Sequence, residues 1–389
     1  MRPYRFTALA LAALGAGACG EDTAAPSCPE VSGVACVWAG TSTAGFNGDG
    51  LALRESRLYS PLDVDFAPDG SPWVIDFNNH RLRRVENGRF STKVGGIRPG
   101  DGDDTQADLT PTGAPGTDVL LNHPTDLAFD PSGTLVFAAW HNFKIRSWNP
   151  ADGLVHVLYG GKFYMGGYSG DGGPASAAAF NFPKALVRLD DGTLFILDQR
   201  SQRIRRVAND ADHTVTTVAG DGTAGFAGDG GSPKAAKLHF EGGNAPMPSG
   251  GLALGPDGKL YLADSLNHRI RRLDLAADRI DTIAGTGLAG FGGDDGPALE
   301  AQLSNPRDLE FGPDGRLYIA DTDNHRVRSI DIATGVIATV AGTGIEGNGA
   351  EGRPATETDL HKPWGIAFDP AGALYVADTE NHRILKVPR

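Results

Sequence analysis

The sequence predicts an all-β fold, and three observations support that reading. Helical periodicity is scarce along the 389 residues. Short apolar runs alternate instead with turns rich in Gly, Asp and Pro, to which Gly 54 and Pro 25 contribute. One such pattern then recurs six times along the chain.

The recurring pattern is clearest at its centre. "DFNNHRLRRV" begins at Asp76, "DSLNHRIRRL" at Asp264, "DTDNHRVRSI" at Asp321 and "DTENHRILKV" at Asp378. "AWHNFKIRSW" from Ala139 and "DQRSQRIRRV" from Asp198 are degenerate copies in the same frame. The basic markers Arg81, Lys144, Arg203, Arg269, Arg326 and Arg383 are about 60 residues apart. A proline opens each copy: Pro61, Pro124, Pro183, Pro248, Pro306 and Pro363. An apolar run and a turn follow it, as in "LDVDFAPDG" and "WGIAFDPAG". Next come a run such as "LYIAD", the Asn-His-Arg turn, a third run such as "RIRRL" and a fourth such as "TVTTVAG". A long Gly-rich loop leads to the next copy.

Each copy therefore reads as four short antiparallel strands. Six such sheets stacked radially make a six-bladed β-propeller. Stacking covers faces that one sheet cannot bury alone, and a closed ring has no large exposed edges. One domain, residues 31–389, takes up all six copies. The two ends complement each other. "RILKV" near Arg389 is a third strand without a fourth. "VACVWAG", Val34 to Gly40, matches "TTVAG" and precedes the first Gly-rich loop. The N-terminal strand is expected to pair with Ile384 to Val387 and close the ring.

The N-terminal segment has a separate task. Arg2 and Arg5 precede the apolar run "FTALALAALGAGA", and small residues lead to Cys19. This is the pattern of an export signal over residues 1–18. The run is short for a membrane span. "AGAC" resembles a lipoprotein signal peptidase site, which implies lipid on Cys19 and a tether over residues 19–30. Gly20 after Cys19 favours the outer membrane or cell surface of a bacterial envelope. Cys28 and Cys36 are then expected to form a disulfide, as is usual in an exported chain. The net charge of -13 argues against nucleic acid as a partner. An acidic surface mainly keeps the chain soluble, here as a monomer.

The repeat resembles the NHL repeat, through "Asp-Gly-x-Leu-Tyr-x-Ala-Asp-x-x-Asn-His-Arg-Ile-Arg". The longer form, with "GDGGPA" in the connecting loop, is similar to repeats of bacterial NHL proteins and of the teneurin propeller. The resemblance covers residues 34–389. It implies a broad loop surface that binds proteins or other polymers. Six-bladed propellers also include calcium-dependent lactonases and amidating lyases that work at the axial tunnel.

The centre of the motif reads as a structural turn: Asp76, Asn79, His80 and Arg81, with Asp264, Asn267, His268 and Arg269, then Asp321, Asn324, His325 and Arg326, then Asp378, Asn381, His382 and Arg383. Asp and Asn accept backbone N–H groups and tolerate turn geometry. The Arg two residues after Asn is expected to fork onto the Asp. A group that recurs in every blade is architecture, because an active site appears once. Histidines spread around a ring also cannot share one zinc ion with bonds near 2 Å. The "GDGG" loops lack the Lys-Ser/Thr of a phosphate loop and the alternate carboxylates of a calcium loop. Asp49, Asp171, Asp229 and Asp294 there are expected to cap the short helical turn that follows.

Two deviations between copies mark candidate sites. The slot two positions after the opening Pro holds Asp63, Asp126, Ala185, Gly250, Asp308 and Gly365. It lies on the innermost strand, at the tunnel. Asp63, Asp126 and Asp308, with Lys184, Arg307 and Trp364 beside them, form a candidate ligand-binding rim. No cofactor is expected, with calcium on these carboxylates as the alternative. Blades two and three also carry Trp140, His141, Phe143, Trp148, Tyr159, Phe163, Tyr164 and Tyr168, as packing or as a surface for carbohydrate or protein. No nucleophile elbow, zinc-helix motif or dinucleotide fingerprint is present. The reading is an envelope-anchored binding or scaffold module. The alternative is a metal-dependent hydrolase or lyase at the tunnel.

Overall fold

The computed structural model describes Cys28 and residues 30–96, 98–102, 107–109, 112–160, 166–240 and 247–389. The expected signal segment, Cys19 and most of the expected tether lie outside the described residues, as do Phe163 and Tyr164. The described chain forms six antiparallel sheets, each one blade of a ring. Blade one comprises Pro61–Phe66, Pro72–Asp76, Arg81–Glu86 and Arg89–Val94, from the axis outward. Blades two to five repeat this order from inner strands Pro124–Phe129, Pro183–Arg188, Gly251–Leu254 and Pro306–Phe311.

Blade six is assembled from both ends of the chain. Pro363–Phe368, Leu374–Asp378 and Arg383–Val387 supply three strands, and Val34–Ala39 supplies the outer one. The closing strand runs antiparallel to its neighbour, with Cys36 opposite Lys386 and Val37 opposite Leu385. Ring closure thus follows the complementarity of the two ends. Cys28 and Cys36 form the expected disulfide, with Cα atoms 5.7 Å apart.

The core lies between blades rather than within them. The second strands Leu135–Ala139, Leu194–Asp198, Leu260–Asp264 and Leu374–Asp378 are buried along their full length. Neighbouring blades cover both faces, so these strands read as continuous apolar runs. Ile366, Val376 and Leu385 of blade six, for example, pack with Ala320 and Val327 of blade five.

Blade four opens one residue later than the sequence reading placed it. Gly251, not Gly250, fills the inner-strand slot: it pairs with Ala263 as Asp308 pairs with Ala320. A Cβ on Gly251 would come within 2.8 Å of the Asp308 Cα, and one on Gly365 within 2.8 Å of the Asp63 Cα. Close approach of the following blade therefore requires glycine at both places.

The Asn-His-Arg turn is a latch between blades. Each histidine ends a one-turn 3-10 segment in the left-handed conformation, at φ 55° for His80 and 52° for His268. Its Nδ1 accepts the backbone N–H of the next blade: His123 on His80, Asn305 on His268, Lys362 on His325 and Ser60 on His382. In the degenerate third copy Gln202 Oε1 accepts from Phe240 in the same way. In the second copy Phe143 replaces the latch with a ring contact to Phe182, at 4.9 Å between centroids.

An accepting Nδ1 must be unprotonated, and burial holds His268 below its ordinary value of 6.5. A depressed histidine contributes stability that is full above 6.5 and is lost as pH falls toward the lower folded value. His268→Gln, which copies Gln202, removes that loss. Wild-type melting temperature is expected to fall more steeply than the variant's between about pH 7.5 and pH 5. Parallel slopes in a thermal-melt series would contradict the latch.

The arginine expected to fork onto the Asp is displaced by two residues. Arg83 reaches Asp76 at 3.3 Å, Arg205 reaches Asp198 at 3.3 Å and Arg271 reaches Asp264 at 3.1 Å. Arg81, Arg269 and Arg326 instead hold the Gly-rich loop. Their guanidinium groups lie 3.9, 3.8 and 3.6 Å over the rings of Phe46, Phe226 and Phe291. Among the described residues, only blade six keeps the expected contact, with Arg383 Nε donating to Asp378 at 2.7 Å. Leu385 occupies the second arginine's place there.

The loop aspartates are not helix caps either. Asp49, Asp171, Asp229 and Asp294 pair with the buried arginines Arg83, Arg205, Arg271 and Arg328. A fully buried guanidinium needs a second carboxylate more than an exposed 3-10 turn needs a cap. Each loop thus docks on its blade through an aromatic ring, two arginines and an aspartate.

Candidate functional site

Antiparallel order puts the Asn-His-Arg turns, the Gly-rich loops and the starts of the inner strands at one end of the ring. The tunnel opens at its centre. A cavity of about 10 Å³ lies there, lined by Leu62, Asp63, Thr125, Lys184, Pro248, Arg307, Asp308, Trp364 and Gly365. The structure therefore brings together five of the six rim residues chosen from sequence. Asp126 lies against the same group, coupled by charge to Asp63 and Lys184.

The mouth is nearly closed. The Arg307 guanidinium sits 4.2 Å over the Trp364 ring and donates to the Pro248 carbonyl at 2.8 Å. Lys184 Nζ donates to the Arg307 carbonyl at 3.2 Å. The remaining space is about that of one water. Arg307 Nε and Trp364 Nε1 are buried and have no hydrogen-bond partner.

Two of the three rim aspartates are staples. Asp126 accepts the Leu186 N–H of blade three at 2.7 Å. Asp308 accepts the Ile366 N–H of blade six at 2.9 Å. In both cases the next blade carries Ala or Gly in the slot and has no carboxylate of its own for that amide. Asp63 makes only a local bond, from the Val64 N–H at 2.8 Å.

Two further carboxylates lie deeper, at Asp65 and Glu310. They occupy the position two residues beyond the slot, and the period of a strand would have revealed them. Burial, then the negative charges of Asp308, Asp126 and Asp65, pushes Asp63 well above the usual carboxylate range. Burial likewise raises Asp126 to about 7, against the pull of Lys184, and Asp65 to about 7. Glu310 is raised by burial and by the same aspartates. Burial and mutual repulsion thus favour the protonated, uncharged forms of these carboxylates. Among the described residues, no three His, Cys, Asp or Glu side chains converge as metal ligands.

Around the mouth runs a ring of paired positions that sequence reasoning missed. One residue precedes each inner strand, and its partner stands two places after the Asp of the turn. Asn305 donates to Asp323 at 3.1 Å. The Arg200 guanidinium lies 5.5 Å over Phe182. His123 and His141 approach at 2.7 Å between Nδ1 atoms. Each blade carries a different chemistry there, and that variation was the available signal. Of the unusual aromatics, Trp140 and Trp148 are buried, and Trp140 Nε1 donates to Gln199 at 2.9 Å. Tyr168 is exposed on its loop and stacks on Arg203.

Comparisons with known proteins agree with this architecture. A family model described as NHL repeat matches residues 303–328 and 360–387, in blades five and six. The chain is 31% identical over 272 residues to Protein SUPPRESSOR OF QUENCHING 1, chloroplastic, of Arabidopsis thaliana, covering 68% of this chain and 24% of that one. It is 27% identical over 331 residues to NHL repeat-containing protein 2 of Bos taurus, covering 80% and 44%. It is 28% identical over 380 residues to Teneurin-m of Drosophila melanogaster, covering 87% and 12%. The chain thus spans less than half the length of these relatives.

Among solved structures, an auxiliary nutrient binding protein from Bacteroides thetaiotaomicron is similar with a TM-score of 0.62 at 15% identity, covering 91% of this chain and 75% of that one. A protein of unknown function from the same organism gives 0.64 at 16% identity, with the same coverage. These likenesses concern the fold. Repeat pattern, blade order, family match and relatives converge, and the chain is a six-bladed β-propeller built of NHL repeats.

Proposed function

We propose that this chain is a binding module of the bacterial cell envelope, held by lipid on Cys19, whose loop-bearing face receives a protein partner. One observation carries the reading. Among the described residues, eight of the twelve exposed large apolar side chains lie on the connections at that end: Phe46, Tyr59, Tyr168, Phe226, Met247, Leu288, Phe291 and Ile345. Apolar groups gathered on one face of a charged protein mark an interaction surface. The rings of Phe46, Tyr168, Phe226 and Phe291 are pinned on arginines, so little side-chain entropy is lost on binding. The narrow mouth suits a partner that covers the face rather than a substrate that enters the tunnel. A similar fold serves in a protein described as nutrient binding, and a binding role fits this face as well.

Leu288 and Ile345 are each 65% exposed and support no core. Replacing both by Glu is expected to leave the melting temperature unchanged. Capture of a partner from envelope extract is expected to fall at least tenfold, about the effect of losing 1.4 kcal/mol of contact. Equal capture by wild type and variant would remove this face as the binding surface.

A further inference from the structure

We propose that His123 and His141 form a binding site for a late first-row transition-metal cation, of the class of Cu²⁺, Ni²⁺ or Zn²⁺. Their Nδ1 atoms are 2.7 Å apart and face each other. Without a metal, one ring must carry a proton on Nδ1 and donate it to the other. With a metal, both lone pairs point at one ion and both protons sit on Nε2. Tetrahedral bonds of about 2.0–2.1 Å place two ligand nitrogens roughly 3.3 Å apart. The pair therefore has to open by about 0.6 Å, and each ring has to turn so that its Nδ1 lone pair faces the ion.

The backbone is already set for this arrangement. His123 is in the left-handed conformation, at φ 58°, and its N–H donates to His80 Nδ1 at 3.2 Å. The His141 N–H donates to the Asn122 carbonyl at 3.1 Å. Rings brace both imidazoles: Phe77 lies 4.6 Å from His123, and Trp140 lies 4.2 Å from His141. Both histidines keep partial exposure at the loop-bearing end. Water, or a donor from a bound partner, fills the remaining coordination positions. Imidazole selects these borderline cations, with Cu²⁺ bound most tightly. In other blades the same two positions hold Asn305 with Asp323 and Phe182 with Arg200, so the imidazole pair belongs to blade two.

Titration of the purified full chain with CuCl₂, read by tryptophan fluorescence and calorimetry, tests the site. One equivalent is expected to bind and to quench emission, because Trp140 touches His141. His123→Asn and His141→Asn are each expected to weaken binding at least tenfold. His213→Asn, at an exposed turn of blade three, is expected to bind as wild type does. Melting curves confirm that each variant is folded. Absence of a one-equivalent phase in the wild type would overturn the proposal. So would equal affinity in wild type and both pair variants, which would leave His123 and His141 as a hydrogen-bonded pair only.

Discussion

Removal of residues 31–40 is expected to cost about 5 kcal/mol or more of stability, as a loss in denaturation midpoint. Ala35, Cys36, Val37 and Ala39 of this strand are buried, and Ala39 is fully covered. Ala35 and Val37 pack with residues of blade five, and Ala39 packs with residues of blade one. Deletion would uncover Leu385 and Ile384 and leave the backbone of Arg383–Val387 as an open edge. The Trp38 ring, edge-on to Tyr375 at 5.1 Å and to Phe90 at 6.5 Å, would go as well. An unchanged midpoint would mean that the ring does not need its seam.

Loss of both Arg269 and Arg271 is expected to have the next largest effect, about 3–5 kcal/mol. Arg271 and Asp264 are both 0% exposed, and Asp229 shares the same guanidinium. A buried carboxylate stripped of its cation carries the full penalty of desolvation. Arg271→Leu alone should cost less, about 2 kcal/mol. Blade six shows why: with Leu385 in that place, Arg383 folds back and bonds Asp378 through Nε. Arg269 can do the same once it leaves Phe226. The double variant should therefore cost more than the sum of the single ones, and a double-mutant cycle measures the coupling. Additive effects would show that Arg269 cannot substitute.

Much of this architecture was legible because it repeats. Four apolar runs per copy, six copies and an unpaired "RILKV" dictate the blades and the seam. The Cys28–Cys36 disulfide was readable from the expectation of export and from cysteine spacing. The side-chain network was harder to read. Asp76 and Arg81 are cross-strand partners, so sequence proximity suggested an ion pair. A full-length guanidinium facing its direct partner extends past it, and Arg83, one pleat further on, reaches back instead. That choice depends on the stem length of arginine, which a motif does not display. The shift from Gly250 to Gly251 was hidden because two glycines are adjacent. Of the rim residues chosen from sequence, Asp63, Lys184, Arg307, Asp308 and Trp364 share one cavity. Its closure was not legible, because it rests on how Arg307 lies across Trp364.

The seam also sets an order of events. Within blades one to five, strands pair with near neighbours along the chain, and such local contacts form early. Blade six instead joins Cys36 to Lys386, 350 residues apart in sequence. Bringing such distant segments together carries the largest entropic cost of closure in the ring. Five blades can therefore stack before the sixth is complete, with the edge of Arg383–Val387 waiting for its partner. Until then the assembly is an open arc that can widen or narrow. The strand that leads into the first blade is thus the last to dock, and its docking fixes the diameter of the tunnel.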